Sequence, residues 1–138
     1  MSYYIYAITP FFAWFVCGIT KFILNCIIEK RLAFDLIGYG GMPSNHSAIV
    51  TSIVSLIGFK VGIDIPAFGV ALTLAYIVIL DASSLRKQIE KHAIGINRLN
   101  QLNNNSVILL RERIGHSKTE IFVGIAIGCL VGFVGSML

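Results

Sequence analysis

Two histidines in this chain lie in polar stretches that interrupt apolar runs. His46 sits in Gly40-Gly41-Met42-Pro43-Ser44-Asn45-His46-Ser47, and His116 in Arg111-Glu112-Arg113-Ile114-Gly115-His116-Ser117-Lys118-Thr119-Glu120. An imidazole gives or takes a proton near neutral pH. In the first stretch Gly40 and Gly41 allow a tight turn and close approach of backbone to a ligand. Pro43 biases the residue before it away from helix, and Ser44 can cap the helix that follows. The free N–H groups of that helix's first turn would then form an anion site beside His46. A plain capped helix with an interfacial histidine is the other reading of the same residues.

In the second stretch Arg111 and Arg113 offer the planar fork that suits bidentate phosphate contacts. Glu120 has two readings that the sequence leaves open. Four residues after His116, it can orient the imidazole. With Ser117 it can instead form a capping box, its carboxylate serving a backbone N–H. Asp81 ends an apolar run, where an acid needs a partner or water; either Arg86 or Lys21 can be that partner. Lys21, four residues before Asn25, either faces the bundle interior or snorkels to the interface. Two histidines, several cations and a helix N-terminus suggest phosphoryl chemistry. That chemistry needs charge neutralised on nonbridging oxygens, a nucleophile, and an acid for the leaving group. No HExxH or clustered carboxylate motif is present, so neither a metal nor a cofactor is expected.

The elements that must position these residues are membrane helices. Of 138 residues, 56% are hydrophobic and 13% charged, against about 45–50% and about 25% in soluble domains. The length fits one integral membrane domain, 1–138. Apolar runs cover roughly 5–28, 47–61, 66–80 and 121–138. The first is long enough for a hydrocarbon core of about 30 Å, with Tyr3, Tyr4 and Tyr6 as an interfacial anchor. It reads as the start of a retained helix rather than a signal peptide. The second and third runs are short, which bilayer thinning or oligomerisation accommodates, so a homo-oligomer is an open expectation. Gly124, Gly128 and Gly132 repeat every four residues, a face for close helix contact. Leu85, Ile89, Ile96 and Leu99 recur at helical spacing among Arg86, Lys87, Glu90, Lys91 and Arg98, which reads as an amphipathic helix on the membrane surface, ended by Leu102-Asn103-Asn104-Asn105-Ser106. Cys17, Cys26 and Cys129 lie within apolar runs and are expected to be small buried hydrophobes. The expected fold is all-α: a polytopic membrane helix bundle of about four spans with an interfacial amphipathic helix.

Four spans put connectors 29–46 and 81–118 on one face, and connector 60–65 with both termini on the other. Nine of the eleven Lys and Arg residues lie on the first face. The positive-inside rule makes that face cytoplasmic and turns both termini outward, as for a protein of a bacterial inner membrane. The net charge of +4 therefore points to membrane orientation and phosphate rather than to nucleic acid. Both polar stretches, Asp81 and Arg86 meet on this face.

The segments GGMPSNHSA, DASSLR and RERIGHSKTE together resemble the divergent branch of the type 2 phosphatidic acid phosphatase superfamily, which is related to acid phosphatases and vanadium haloperoxidases. The resemblance runs from about Lys21 to Gly128. The superfamily's Pro-Ser-Gly-His motif reads Pro43-Ser44-Asn45-His46 here. The resemblance implies that Ser44 and the nearby backbone, Gly41 included, bind phosphate while His46 protonates the leaving oxygen. Its His-x-x-x-Asp motif reads His116-Ser117-Lys118-Thr119-Glu120. That implies a nucleophilic His116, a phosphohistidine intermediate, and Glu120 as the orienting acid. The pattern asks for Arg six residues before that histidine, but position 110 is Leu and Arg111 is one place off. The first motif, Lys-x6-Arg-Pro, has Ile28 at the arginine position after Lys21, with Arg31 three residues later and no Pro. Arg86 is the candidate to supply the missing charge, with Asp81 orienting it.

The expected function is a metal-independent membrane phosphatase acting on a lipid phosphate or diphosphate, such as a phosphatidylglycerophosphate-like lipid or an isoprenoid phosphate. The alternative is a non-catalytic lipid-phosphate binder or a subunit of a larger membrane assembly.

Overall fold

The structure, a computed structural model, describes residues 4–32, 34, 41–103, 108–112 and 114–138. Tyr3 of the expected anchor, Gly40, Arg113 and residues 104–107 lie outside the described residues. The described residues form five α-helices and no strand: α1 Tyr4–Glu29, α2 Asn45–Lys60, α3 Pro66–Leu80, α4 Arg86–Leu102 and α5 Lys118–Ser136. α1, the helix running on from α3, and α5 are each long and apolar enough to cross a membrane. α2 has 16 residues, about 24 Å, and lies at the centre with α1, α3 and α5 packed around it.

α2 and α5 run parallel and very close together. The Ser44 N–H donates to the Glu120 carbonyl at 2.9 Å at one end, and Lys60 Nζ donates to the Ser136 carbonyl at 3.4 Å at the other. Between them Thr51 Oγ1 reaches the Ile125 carbonyl and Ser55 Oγ the Cys129 carbonyl, at 3.4 and 2.8 Å. The expected glycine face makes this approach: a Cβ on Gly124, Gly128 or Gly132 would run into the α2 backbone at Ser44, Ala48 and Ser52 respectively. The matching face of α2 carries the small buried residues Ser44, Ser47, Ala48, Thr51, Ser52 and Ser55. Without water in the bilayer, such contacts depend on close packing and interhelical hydrogen bonds.

α1 runs antiparallel to this pair; its Thr9 lies against Gly135. Its bundle-facing residues Thr9, Ala13 and Cys17 are buried, and the same four-residue spacing leads on to Lys21. Only Cys17 of the three cysteines is fully buried; Cys129 is exposed on the outer surface and Cys26 is intermediate. The expectation of three buried cysteines fails for Cys129, which lies about 100° round α5 from Gly128 and so outside the arc that the glycine stripe buries.

The helix does not end with the third apolar run at Leu80. Helix runs unbroken from Pro66 to Leu102 through a π-helical turn, Asp81–Leu85. The polar residues that suggest a stop are absorbed by that turn. Ser83 and Ser84 hydroxyls both donate to the Leu80 carbonyl at 3.1 and 2.7 Å, while the Arg86 N–H reaches back five residues to the Asp81 carbonyl, as π geometry requires. α4 is thus a continuation of α3. It still presents Leu85, Ile89, Ile96 and Leu99 as an exposed apolar stripe.

Gly128→Ala should destabilise the fold by about 1–3 kcal/mol or more, because its methyl has nowhere to go between Thr51 and Ala48. Gly69→Ala, which meets open space, should be neutral or slightly stabilising. Thermal unfolding in detergent, followed by circular dichroism, checks the contrast.

Candidate functional site

Parallel packing brings the N-termini of α2 and α5 to one end of the bundle, where the C-terminus of α1 and the π turn also arrive. Both helix ends direct free N–H groups and positive dipole ends to the same region. Ser44 caps α2, its Oγ accepting from Ser47 N–H at 3.4 Å and from the Ser47 hydroxyl at 3.1 Å. The preceding turn needs Gly41, whose φ of +133° suits glycine. His46 follows on the first turn of α2.

His116 sits just before the Ser117 cap of α5. It is 5% exposed, and its Nδ1 lies 3.0 Å from Glu120 Oε2. The two readings of Glu120 prove compatible. The same oxygen that meets the imidazole also accepts from Ser117 N–H at 3.1 Å, while Ser117 Oγ accepts from Glu120 N–H at 3.2 Å. The capping box is complete, and it orients the histidine. A carboxylate only accepts, so Nδ1 carries a proton, and in the neutral ring that tautomer leaves the Nε2 lone pair free.

The His46 and His116 ring centroids are 6.5 Å apart. The two rings are tilted 55° to one another, so both imidazoles border the same small space. Arg86 closes one side. Its Nε donates to Asp81 Oδ2 at 3.1 Å, and a terminal guanidinium nitrogen lies 3.3 Å from His46 Nε2. Guanidinium has no acceptor, so His46 Nε2 accepts and is unprotonated in this arrangement. Asp81 therefore takes Arg86 as its partner. Lys21 acts electrostatically on His46 and lies in range of Glu120 and Arg111, which favours its interior placement. The His46 pKa is lowered, first by burial of part of the ring and then by the Arg86, His116 and Lys21 charges, with Asp81 opposing them.

The structure thus gathers His46, His116, Glu120, Arg86, Asp81 and Lys21 around one spot, with Arg111 beside them. Ser44 and Gly41 are buried behind the site, Ser44 with its hydroxyl engaged in capping. Arg31 is exposed in the turn after α1. Among the described residues no group of three His, Cys, Asp or Glu side chains is placed to hold a metal ion.

Sequence reasoning passed over the residues that hold the segment leading to His116. Asn97 is buried and bonds Leu110 and Glu112; Glu90 accepts from Ile114 and Gly115 N–H. The available signal was position: Glu90, Ala93 and Asn97 share one side of α4, a polar–small–polar stripe apart from the apolar stripe of Leu85, Ile89, Ile96 and Leu99.

Comparisons with known proteins give the family. The family model described as "Divergent PAP2 family" matches residues 5–131. The chain belongs to that family. It is 30% identical over 132 residues to the uncharacterized membrane protein YuiD of Bacillus subtilis (strain 168), covering 84% of each chain. No solved structure matches it. This protein is accordingly a membrane protein of a phosphatase-related family, with both of its histidine motifs at one end of the helix bundle.

Ser117→Ala should remove the cap hydroxyl and cost about 0.5–2 kcal/mol of stability, leaving Nδ1-protonated His116 intact. Glu120→Gln should shift that tautomer, because an amide can donate to Nδ1 as well as accept from it; ring ¹⁵N NMR separates the two outcomes. Since partial burial and, after it, neighbouring cations disfavour the protonated imidazole, His46 should titrate below its ordinary value of 6.5. Its pKa should rise in Arg86→Ala, where Asp81 loses its partner, and also on adding inorganic phosphate. Histidine NMR titration reads both shifts.

Proposed function

We propose that this divergent PAP2 protein hydrolyses a lipid phosphate or diphosphate through a phosphohistidine at His116. The observation that carries the reading is the His116–Glu120 pair facing His46 across 6.5 Å, at the shared N-terminal end of two parallel helices. Arg86, Lys21 and Arg111 would neutralise the nonbridging oxygens, and the helix-end N–H groups would support them.

In the first step His116 Nε2 attacks phosphorus, and the bond from phosphorus to the lipid oxygen breaks as the N–P bond forms. His46 delivers a proton to the departing oxygen. In the second step His46 takes a proton from water, whose oxygen attacks phosphorus, and the N–P bond breaks to release phosphate and free His116. The arriving substrate would prepare His46 for the first step. Its charge competes for Arg86, uncovering His46 Nε2, and raises the proton affinity that burial and the local cations hold down, so that His46 takes a proton from solvent before the first step.

The positive-inside count supports a cytoplasmic site face, and the exposed apolar residues of α1 and α3 support substrate entry from the bilayer. A lipid intermediate whose head group is made in the cytoplasm fits that placement. A second reading, a lipid-phosphate binder without turnover, draws support from the full burial of Ser44 and from Leu110 at the position where the superfamily has arginine.

Purified protein should release phosphate from at least one member of a lipid-phosphate panel with EDTA present. His116→Ala should abolish the release and His46→Ala should strongly reduce it, both proteins remaining folded. Full activity in His116→Ala would end its assignment as nucleophile. Binding of vanadate without turnover by the wild type would favour the binder.

A further inference from the structure

The segment that carries Arg111 and delivers His116 forms neither helix nor strand over its described residues 108–112 and 114–116. Its backbone groups therefore need partners from elsewhere, and side chains of α4 supply them. Asn97 is 3% exposed. Its Oδ1 accepts from the Leu110 N–H, and its Nδ2 donates both to the Leu110 carbonyl and to Glu112 Oε1, all at 2.8 Å. One amide thus satisfies both backbone groups of Leu110 and also holds Glu112, so the residues on either side of Arg111 are tied to the same side chain. Its two donor hydrogens are both used. Two helical turns toward the π turn, Glu90 Oε2 accepts from Ile114 and Gly115 N–H at 3.3 and 3.1 Å. Gly115 is pressed on Lys87; a Cβ there would lie 2.8 Å from Lys87 Cγ. The His116 N–H then reaches the Ala82 carbonyl at 3.4 Å.

We infer that Asn97 is a positioning residue for the phosphate site, whose amide fixes the backbone around Arg111 and thereby sets where that guanidinium and the His116 imidazole meet the substrate. The chemistry in this inference rests on the phosphatase reading; the clamp itself does not. An arginine one place away from the superfamily's spacing depends on its local backbone path to reach the same phosphate. The Asn97 amide holds that path from a continuous helix anchored in the bundle by α3. Buried polar groups with full hydrogen bonding hold such a geometry firmly, and losing one partner disturbs the rest.

The test uses the full-length protein in detergent. Asn97→Asp keeps an acceptor for Leu110 N–H, loses both donors and sets a carboxylate against Glu112. In Asn97→Asp/Glu112→Gln the new amide can donate to the new carboxylate, restoring one bond. Arg98→Ala, at the exposed neighbour, controls for disturbance of α4. Orthovanadate binding, kcat and KM for phosphate release, His116 ring ¹⁵N signals and thermal unfolding are measured for each. Asn97→Asp should fold, displace the His116 signals, weaken vanadate binding, and lower kcat/KM by about 10²-fold, the scale of a small misplacement. The double variant should recover part of that loss, and Arg98→Ala should match the wild type. The inference is overturned if Asn97→Asp stays within about twofold of wild type with unmoved His116 signals, or if the double variant recovers nothing. Should Asn97→Asp fail to fold, Glu112→Ala removes one bond at an exposed side chain. It should give a smaller loss in the same direction, and wild-type behaviour there would overturn the inference. If the wild type neither binds vanadate nor releases phosphate, the phosphatase reading falls. The His116 signals then decide the clamp alone: displaced in Asn97→Asp they support it, unmoved they overturn it.

Discussion

The backbone-to-backbone approach of α2 and α5 is the contact on which the site depends. Gly124, Gly128 and Gly132 remove side chains from the seam, and Ser44, Ala48 and Ser52 offer their carbonyls to it. Because the two helices are parallel, this seam also aligns their N-termini, so the Ser44 N–H can bond the Glu120 carbonyl. A bulky residue in the stripe would separate the histidines as well as the helices. Packing in this membrane protein therefore sets the spacing that its chemistry would use.

Around that seam the site is strongly biased toward anions. Two helix N-termini and the Arg86, Lys21 and Arg111 charges face a small region whose counterions are the Asp81 and Glu120 carboxylates, and both of these hold a side chain in place. Glu120 is economical: one oxygen closes a capping box and fixes the tautomer of His116. An aspartate, one carbon shorter, is the superfamily's residue at this position. Glutamate at the third helical position is the residue that can return to the cap, so the departure from the motif has a local structural cause. Arg86 rests on His46 Nε2, so an anion that drew Arg86 to itself would free that nitrogen.

Much of this was legible in the sequence. The glycine spacing of α5 gave the helix contact, Ser44 and Ser117 gave the caps, and Pro43-Ser44-Asn45-His46 with His116-x-x-x-Glu120 gave the histidine pair. What could not be read was mostly long-range or depended on hydrogen bonds already made within a turn. Asp81-Ala82-Ser83-Ser84 looks like a helix stop because nothing local shows that both serines will serve the Leu80 carbonyl and let the helix continue. Asn97 looks like one more polar residue on a surface helix because its partners, Leu110 and Glu112, belong to a segment without periodicity. The outward placement of Cys129 follows from which side of α5 the glycines occupy, and composition alone does not carry that.

The central claim is that two parallel helix ends hold His116 as the nucleophile toward a lipid phosphate. Its most direct test is an alkaline quench of the wild-type protein during turnover of a lipid phosphate, followed by mass-spectrometric mapping of the peptide that contains residue 116. Nitrogen-bound phosphate survives alkali and is lost in acid. The account predicts one phosphate on His116 with that stability, appearing with substrate and disappearing as turnover ends. Turnover with an unmodified His116, or with phosphate on any other residue, would contradict it.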